Sequence, residues 1–483
     1  MNPLLPPLML ALAAVPQARG VDPAINFAHL DHLTERVALG GDTVSIVHIY
    51  ANYPDYRWVA AAESGPEGIA CVDDAARAAV LSLRSFELRG DTASLERARG
   101  LLAFVMHMQA PDGEFYNFIL ADHTINFSGK TSFKSFGWWG VRGLWAMAMG
   151  ARIFRDRDPL LARRLMGGVS LMIPLVCASL REYGDSKTVS GYRIPRWLLY
   201  GSGADVTSEL LLGLLEYQKA RGDDSLSPVM MKLARGLLVM QDGDGKTPPY
   251  GLHRSWETVW HMWGNAQTQA LSTAGLILHD TAMIASAVRE ARGWYGRLLM
   301  EGFLKEYDVA GPPPSSAAKP APPSVAGPAA WSEYEQIAYG VRPMTVGLLR
   351  LFEATGDRDY LLMAGLAASW LAGNNPAGRA MYDPATGRCY DGIRDSLTLN
   401  LNSGAESTIE ALYALLEVGR YPDAAALLTC RKVAAGTAGR FSYALFRGER
   451  EAEVTLARER ATGRLTVYEG EKSRAFCRRE NIR

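Results

Sequence analysis

Three acidic residues at predicted helix starts could do chemistry together, although more than three hundred positions separate them in this 483-residue chain. Asp73 and Asp74 follow a loop in residues 65–80, GPEGIACVDDAARAAV. Glu406 lies in residues 399–418, LNLNSGAESTIEALYALLEV, where an Asn-rich loop runs into an amphipathic pattern. One carboxylic acid that protonates a leaving oxygen, with one carboxylate that activates water or attacks carbon, is the equipment for cleaving a glycosidic bond. The neighbouring residue types fit a sugar, because aromatic faces stack on pyranose rings and amides bond hydroxyls. Candidate catalytic residues are therefore Asp73, Asp74 and Glu406. Candidate sugar-binding residues are Trp138, Trp139, Tyr192, Asp205, His253, Trp256, Glu257, Glu335, Asn375, Tyr390, Asp391 and Asn402.

The same acids also suit plain helix capping. Ser403-x-x-Glu406 and Ser332-x-x-Glu335 both fit the capping box. A helix N-terminus favours the charged carboxylate, which suits a base and disfavours a proton donor. Glu406 as an acid thus requires a nearby carboxylate or apolar burial to raise its pKa. Adjacent helical residues point about 100° apart, so only one of Asp73 and Asp74 is expected to face a pocket.

These residues must be positioned by helices. Short polar turns recur at Arg89-Gly90-Asp91, Arg157-Asp158-Pro159, Gly222-Asp223-Asp224, His279-Asp280, Gly356-Asp357 and Gly419-Arg420-Tyr421-Pro422, a repeat of about 65 residues. Gly as a C-cap followed by Asp as the next N-cap is the chemistry of a tight link between antiparallel helices. The flanking apolar patterns predict hairpins over 74–89 with 94–108, 138–154 with 159–183, and 205–221 with 228–241. They continue over 257–278 with 281–306, 332–354 with 360–372, and 403–418 with 423–431. Six hairpins predict an all-α fold, an (α/α)6 barrel over residues 21–430, with an open solenoid as the alternative. The long connections, including 109–118, 192–197, 241–256 and 374–391, fall on the face where the odd-numbered helices begin. Residues 309–330 carry seven prolines and predict an extended loop. From 431 to 483 the pattern changes to short alternating runs, a small antiparallel β appendage with 13 basic and 7 acidic residues.

Lys+Arg and Asp+Glu both total 51, and this balance gives no electrostatic case for a nucleic-acid partner. Residues 1–20 resemble a secretory signal peptide, although no basic residue precedes the apolar run, so a periplasmic or extracellular location is expected if that signal operates and a cytoplasmic one otherwise. No later run reads as a membrane span. Five scattered cysteines exclude a disulfide framework as the basis of the fold. No metal-ligand spacing, P-loop or dinucleotide fingerprint occurs, and no cofactor is expected.

The motifs Cys71-Val72-Asp73-Asp74-Ala75-Ala76-Arg77-Ala78, Gly113-Glu114-Phe115-Tyr116-Asn117-Phe118 and Asn402-Ser403-Gly404-Ala405-Glu406-Ser407-Thr408 resemble the six-hairpin glycosidase superfamily over about residues 44–429. A weaker likeness is to family 9 glycoside hydrolases, which invert; Gly373-Asn374-Asn375-Pro376 is similar to their Gly-x-Asn-Pro loop. That likeness implies Asp73 or Asp74 as base and Glu406 as acid, although adjacent aspartates depart from the family's Asp-x-x-Asp. Two rivals stay open. One is a lyase or epimerase using Tyr192, His253 or Tyr339 as base, with Arg193 or Arg196 to neutralise a uronate. The other is a glycan-binding protein in which the acids only cap helices.

Overall fold

A computed structural model describes residues 25–62, 65–311 and 330–482. The leader at 1–20 and most of the proline-rich loop lie outside the described residues. After a short helix α1 (Ala28–Leu33) and two β-hairpins come the paired helices α2 (Val72–Arg89) and α3 (Thr92–His107), α4 (Trp138–Phe154) and α5 (Pro159–Ser179), and α6 (Ala204–Arg221) and α7 (Ser227–Val239). They are followed by α8 (Gln267–Ile277), α9 (Thr281–Glu290) and α10 (Gly296–Glu301), then α11 (Val341–Thr355), α12 (Asp359–Ala368), α13 (Ala405–Val418), α14 (Pro422–Ala425) and α15 (Glu471–Arg479).

The turn chemistry is as expected. Gly90 and Gly222 close α2 and α6 in the left-handed region, at φ 69° and 74°, where glycine carries no Cβ penalty. Asp91, Asp158 and Asp280 cap the partner helices by accepting from the backbone N–H groups of Ala93, Leu161 and Ala282. The first helices of the pairs pack in order, α2 on α4, α4 on α6, α6 on α8, α8 on α11, α11 on α13, and α13 back on α2. Their partners cover them from outside: α3, α5, α7, α9, α12 and α14. Helices α4, α6 and α13 are buried nearly all round, as expected of helices enclosed by other helices.

Several expectations need correction. Residues 257–266 are not helical: Thr258, Val259, Trp260 and His261 suit a strand, Val259–His261 pairs with Glu306–Asp308, and α8 begins only at Gln267. Residues 332–340 are likewise short strands and a 3-10 turn, so Glu335 opens no helix and the Ser332 capping box does not form. At α13 the N-cap is Gly404, not Ser403, and it makes no side-chain cap. Within Pro159–Glu182, helix α5 and the turn after it, an 18-residue window reaches a mean hydropathy of 1.5, long and apolar enough by length and composition to cross a membrane; here α5 packs on α4. The appendage is a four-stranded antiparallel sheet, Arg431–Ala438, Phe441–Arg447, Glu453–Glu459 and Leu465–Glu469 in sequence order, with the unforeseen α15. It is anchored to the helices: Arg458 donates to the carbonyls of Gly245, Arg292 and Gly293.

Candidate active site

The starts of α2 and α13 come together. Strand Ala70–Cys71 pairs with Phe118–Ile119, which fixes the entry to α2. The Cys71 Sγ then accepts the Asp74 backbone N–H at 3.4 Å. On the α13 side, Ser403 and Ala405 donate backbone N–H groups to the carbonyls of Ala51 and Ile49 at 3.0 and 2.9 Å. The N-terminal segment thereby walls the approach to Glu406.

Asp73 and Asp74 point in different directions, as the helical turn requires. Asp73 pairs with Arg142 of α4 and lies 3.7 Å from Arg77, one turn along α2. Asp74 is 4% exposed and accepts from the Cys71 thiol at 3.3 Å. Arg77 also forms an ion pair with Glu406 and lies 3.8 Å from Glu410. One guanidinium thus bridges Asp73 and Glu406. These two carboxylates are the more open members of the group, their side chains 23% and 33% exposed.

Beneath them lies a charged layer. Arg142 pairs with Glu209 at 2.7 Å, and Arg342 pairs with Glu410 and approaches Glu209 at 3.7 Å. Arg342 also donates to Gln269 at 3.0 Å. Five carboxylates (Asp73, Asp74, Glu209, Glu406, Glu410) face three guanidiniums (Arg77, Arg142, Arg342), so the cluster is two positive charges short. Protons make up such a deficit most cheaply where desolvation is worst. Burial, then the charge of Glu406, pushes Asp74 up to about 7. Glu406 is also raised, by burial, against the pull of Arg77. For Asp73 burial is outweighed by Arg142 and Arg77, and its pKa is lowered. Tyr339, half-buried beside Glu406 with Arg77 5.8 Å from its ring centroid, is held well above the usual phenol value by desolvation and then by the charge of Glu406.

A second group stands next to the first. Asp205 accepts from His261 Nε2 at 2.8 Å, both side chains buried, and His261 stacks on Trp263 with Trp256 tilted against it. A Cβ at Gly264 would touch His261, Trp138 and Asp205 together, so these three enclose one spot. The Trp138 ring packs over Arg142, which links this group to Asp73. A third group is a groove of about 550 Å³ that includes Asp391 and Asn402; Glu335 and Tyr390 lie beside it, near Asp391 and Tyr56 respectively.

The remaining expected residues serve the scaffold or the periphery. His253 is fully buried with its ring nitrogens held by Glu290 and Ser286, so it offers none to a ligand. Trp139 is buried and donates to the Phe115 carbonyl. Asn375 closes its own loop on the carbonyls of Trp370 and Arg379. Tyr192 donates to the Val309 carbonyl, and Glu257 pairs with Lys187 at 2.6 Å in a half-exposed position. Residues to which the sequence reading gave no site role are Arg77, Arg142, Glu209, His261, Arg342 and Glu410. Four of them stand four residues after a site residue already singled out: Arg77 after Asp73, Arg142 after Trp138, Glu209 after Asp205 and Glu410 after Glu406. Charged residues one turn into otherwise apolar helices were the available signal. Among the described residues, no cluster of three or more His, Cys, Asp or Glu could hold a metal ion.

No protein-family model and no curated protein matches the chain. Among solved structures, cellobiose 2-epimerase from Bacillus thermoamylovorans B4167 aligns with a TM-score of 0.53 at 9% identity, over 77% of this chain and 92% of that one. A D-mannose isomerase aligns with a TM-score of 0.52 at 10% identity, over 77% and 91%. The family 9 endoglucanase J30 aligns with a TM-score of 0.45 at 15% identity, over 83% and 81%. The likeness to the six-hairpin glycosidases read from the three motifs holds at the level of the fold.

Proposed function

We propose that the chain is a carbohydrate-active enzyme whose six hairpins close as an (α/α)6 barrel, and that it hydrolyses a glycosidic bond. Glu406 gives a proton to the leaving oxygen, and Asp73 takes one from the water that attacks the anomeric carbon. The observation that carries this assignment is a pair of open carboxylates bridged by Arg77, with their pKa values moved in opposite directions, Glu406 up and Asp73 down. Titratable groups divided in this way mark the acid and the base. Asp74, close by and protonated up to about pH 7, shares its proton with Glu406 and keeps the donor charged with hydrogen. Asp73 and Glu406 meet different nitrogens of Arg77, which holds the two carboxylates apart, and separated carboxylates favour inversion, where the groups lie roughly 6.5–9.5 Å apart.

The test is release of reducing ends from a broad glycan panel by wild type, Glu406→Gln, Asp73→Asn and Asp74→Asn. Glu406→Gln and Asp73→Asn should lose at least about a hundredfold in kcat, as expected for loss of general acid–base groups, with the fold intact by circular dichroism. Full activity in either variant removes the assignment.

A second reading is supported by the names of the two structures with the higher TM-scores, an epimerase and an isomerase. In that reading a proton moves at a carbon beside a carbonyl, and the Asp205–His261 pair or the phenol of Tyr339 is the group to examine. Deuterium incorporation from D2O into a product of unchanged length would favour it over hydrolysis.

A further inference from the structure

The groove beside α13 has its own chemistry. Its walls include Tyr50, Asn52, Asp391, Asn400 and Asn402, and its volume of about 550 Å³ falls within the roughly 300–1,000 Å³ of small-molecule sites. Among the described residues that line it are three amides, one aromatic ring and one carboxylate, and no Lys, Arg or His. Its floor is braced by the backbone. Asp391 accepts the Gly404 N–H at 2.8 Å and donates its own N–H to the Asn402 carbonyl at 2.8 Å. Asn402 is fixed in turn, its Oδ1 accepting from Tyr53 N at 3.1 Å and its own N–H donating to Asn400 Oδ1 at 3.3 Å. These bonds use acceptor oxygens and leave the amide NH2 groups of Asn400 and Asn402 without a partner among the described residues. The Gly404 N–H held by Asp391 stands two residues before Glu406, so groove and proton donor share one rigid turn.

We propose that this groove is a second sugar subsite adjoining Glu406, and that the substrate is a neutral oligosaccharide or polysaccharide with at least one uncharged glycosyl unit beyond the bond attacked. The inference rests on the carbohydrate reading above. Amide NH2 groups donate to sugar hydroxyls, the carboxylate accepts from them, and the Tyr50 ring offers a face to a pyranose. A uronate, sulfated or phosphorylated unit would bring a negative charge next to Asp391 with no cation in the lining to meet it. The subsite is built jointly from the N-terminal hairpin (Tyr50–Asn52 with Arg57–Val59) and the 391–402 segment, which explains why that hairpin is bonded to the start of α13.

The test is calorimetry on the full chain carrying Glu406→Gln, which blocks turnover. The probes are cello-, manno-, xylo- and malto-oligosaccharides of one to six units, with oligogalacturonides of the same lengths as the charged comparison. The expected result is an affinity for one neutral series that rises at least tenfold from the monosaccharide to the longer members. Adding Asn52→Ala should cut that rise to under threefold. Asn400→Asp, which keeps the acceptor for the Asn402 N–H while adding charge, should do the same. A rise that survives both changes, in variants whose melting curves match the parent, overturns the groove as a subsite while leaving the carbohydrate reading standing. Equal or tighter binding of the oligogalacturonides overturns the neutral-substrate claim. No binding by any member of the panel defeats the carbohydrate reading itself and this inference with it.

Discussion

Asp74→Asn should make the protein more stable at neutral and alkaline pH and less active. Asp74 is 4% exposed, and burial with the Glu406 charge lifts its pKa from 3.8 to about 7. A carboxyl whose folded pKa lies above its unfolded value binds more protons folded than unfolded, so it costs stability as pH rises. The cost is absent below about pH 4, grows through the interval, and is complete above about pH 7. A rise of about 3 pH units at about 1.36 kcal/mol each gives about 4 kcal/mol. Loss of a negative charge in the first turn of α2 takes back about 0.3–1 kcal/mol, leaving an expected gain of about 3 kcal/mol above pH 7. The Asn side chain keeps an acceptor for the Cys71 thiol, so that donor is not orphaned. Urea unfolding of wild type and variant at pH 4, 6, 7 and 8.5 reads the effect: the two should agree near pH 4, or the variant be slightly weaker, and diverge steadily above it. A variant that is less stable at pH 8.5, or a difference that does not change with pH, would refute the reasoning.

Other perturbations test the surrounding charges. Arg77→Met removes the counter-ion of Asp73 and Glu406 and should cost about 3–5 kcal/mol at pH 7, as breaking a buried pair does; both limbs of the pH–activity profile should move to higher pH, because Arg77 holds both carboxyls down. In the wild type the alkaline limb should follow the coupled Asp74–Glu406 pair, with activity falling as pH rises through the region of 7. Glu417→Gln, at the far end of α13, leaves Arg84, Arg350 and Arg420 without their shared carboxylate; chemical denaturation should show a loss of about 3–5 kcal/mol, with kcat per folded molecule unchanged. Arg458→Met removes three charge-assisted bonds between sheet and helices; limited proteolysis should cut within 431–482 sooner, with global stability lower by about 2 kcal/mol.

Much of the fold was legible because it is written in local chemistry. A Gly that closes one helix and an Asp that opens the next report a turn without knowledge of the partner helices, and Gly90-Asp91 and Gly222 did so within a residue or two. The failures came where residues meet partners distant in sequence. Residues 257–266 look helical in isolation, but Val259–His261 pairs with Glu306–Asp308 nearly fifty residues on. Ser332 and Glu335 satisfy a capping pattern that strand pairing overrides. Within the site, Asp73, Asp74 and Glu406 were visible as acids at helix starts. Of their counter-ions, Arg77 stands one turn after Asp73 on the same helix and left a local signal, whereas Arg142 reaches across from α4 and no local pattern ties it to Asp73.

The different surroundings of the adjacent aspartates follow from the geometry of α2. Two successive residues in a first turn diverge by about 100°, and here the divergence sends Asp73 towards Arg142 on α4 and Asp74 into the protein behind Glu406. The first meets cations that outweigh its burial and is lowered; the second is raised by burial first and then by a neighbouring carboxylate. In the proposed mechanism the two neighbouring aspartates supply both halves of acid–base chemistry: one is a carboxylate that stays charged, and the other a proton store that the α13 glutamate can draw on. A spacing of three would place both on the same face of the helix, where a shared counter-ion would move their pKa values together. Swapping Asp74 alone should then disturb the proton donor, and swapping Asp73 alone the base, so in the pH–activity profile Asp74→Asn moves the alkaline limb and leaves the acidic limb in place.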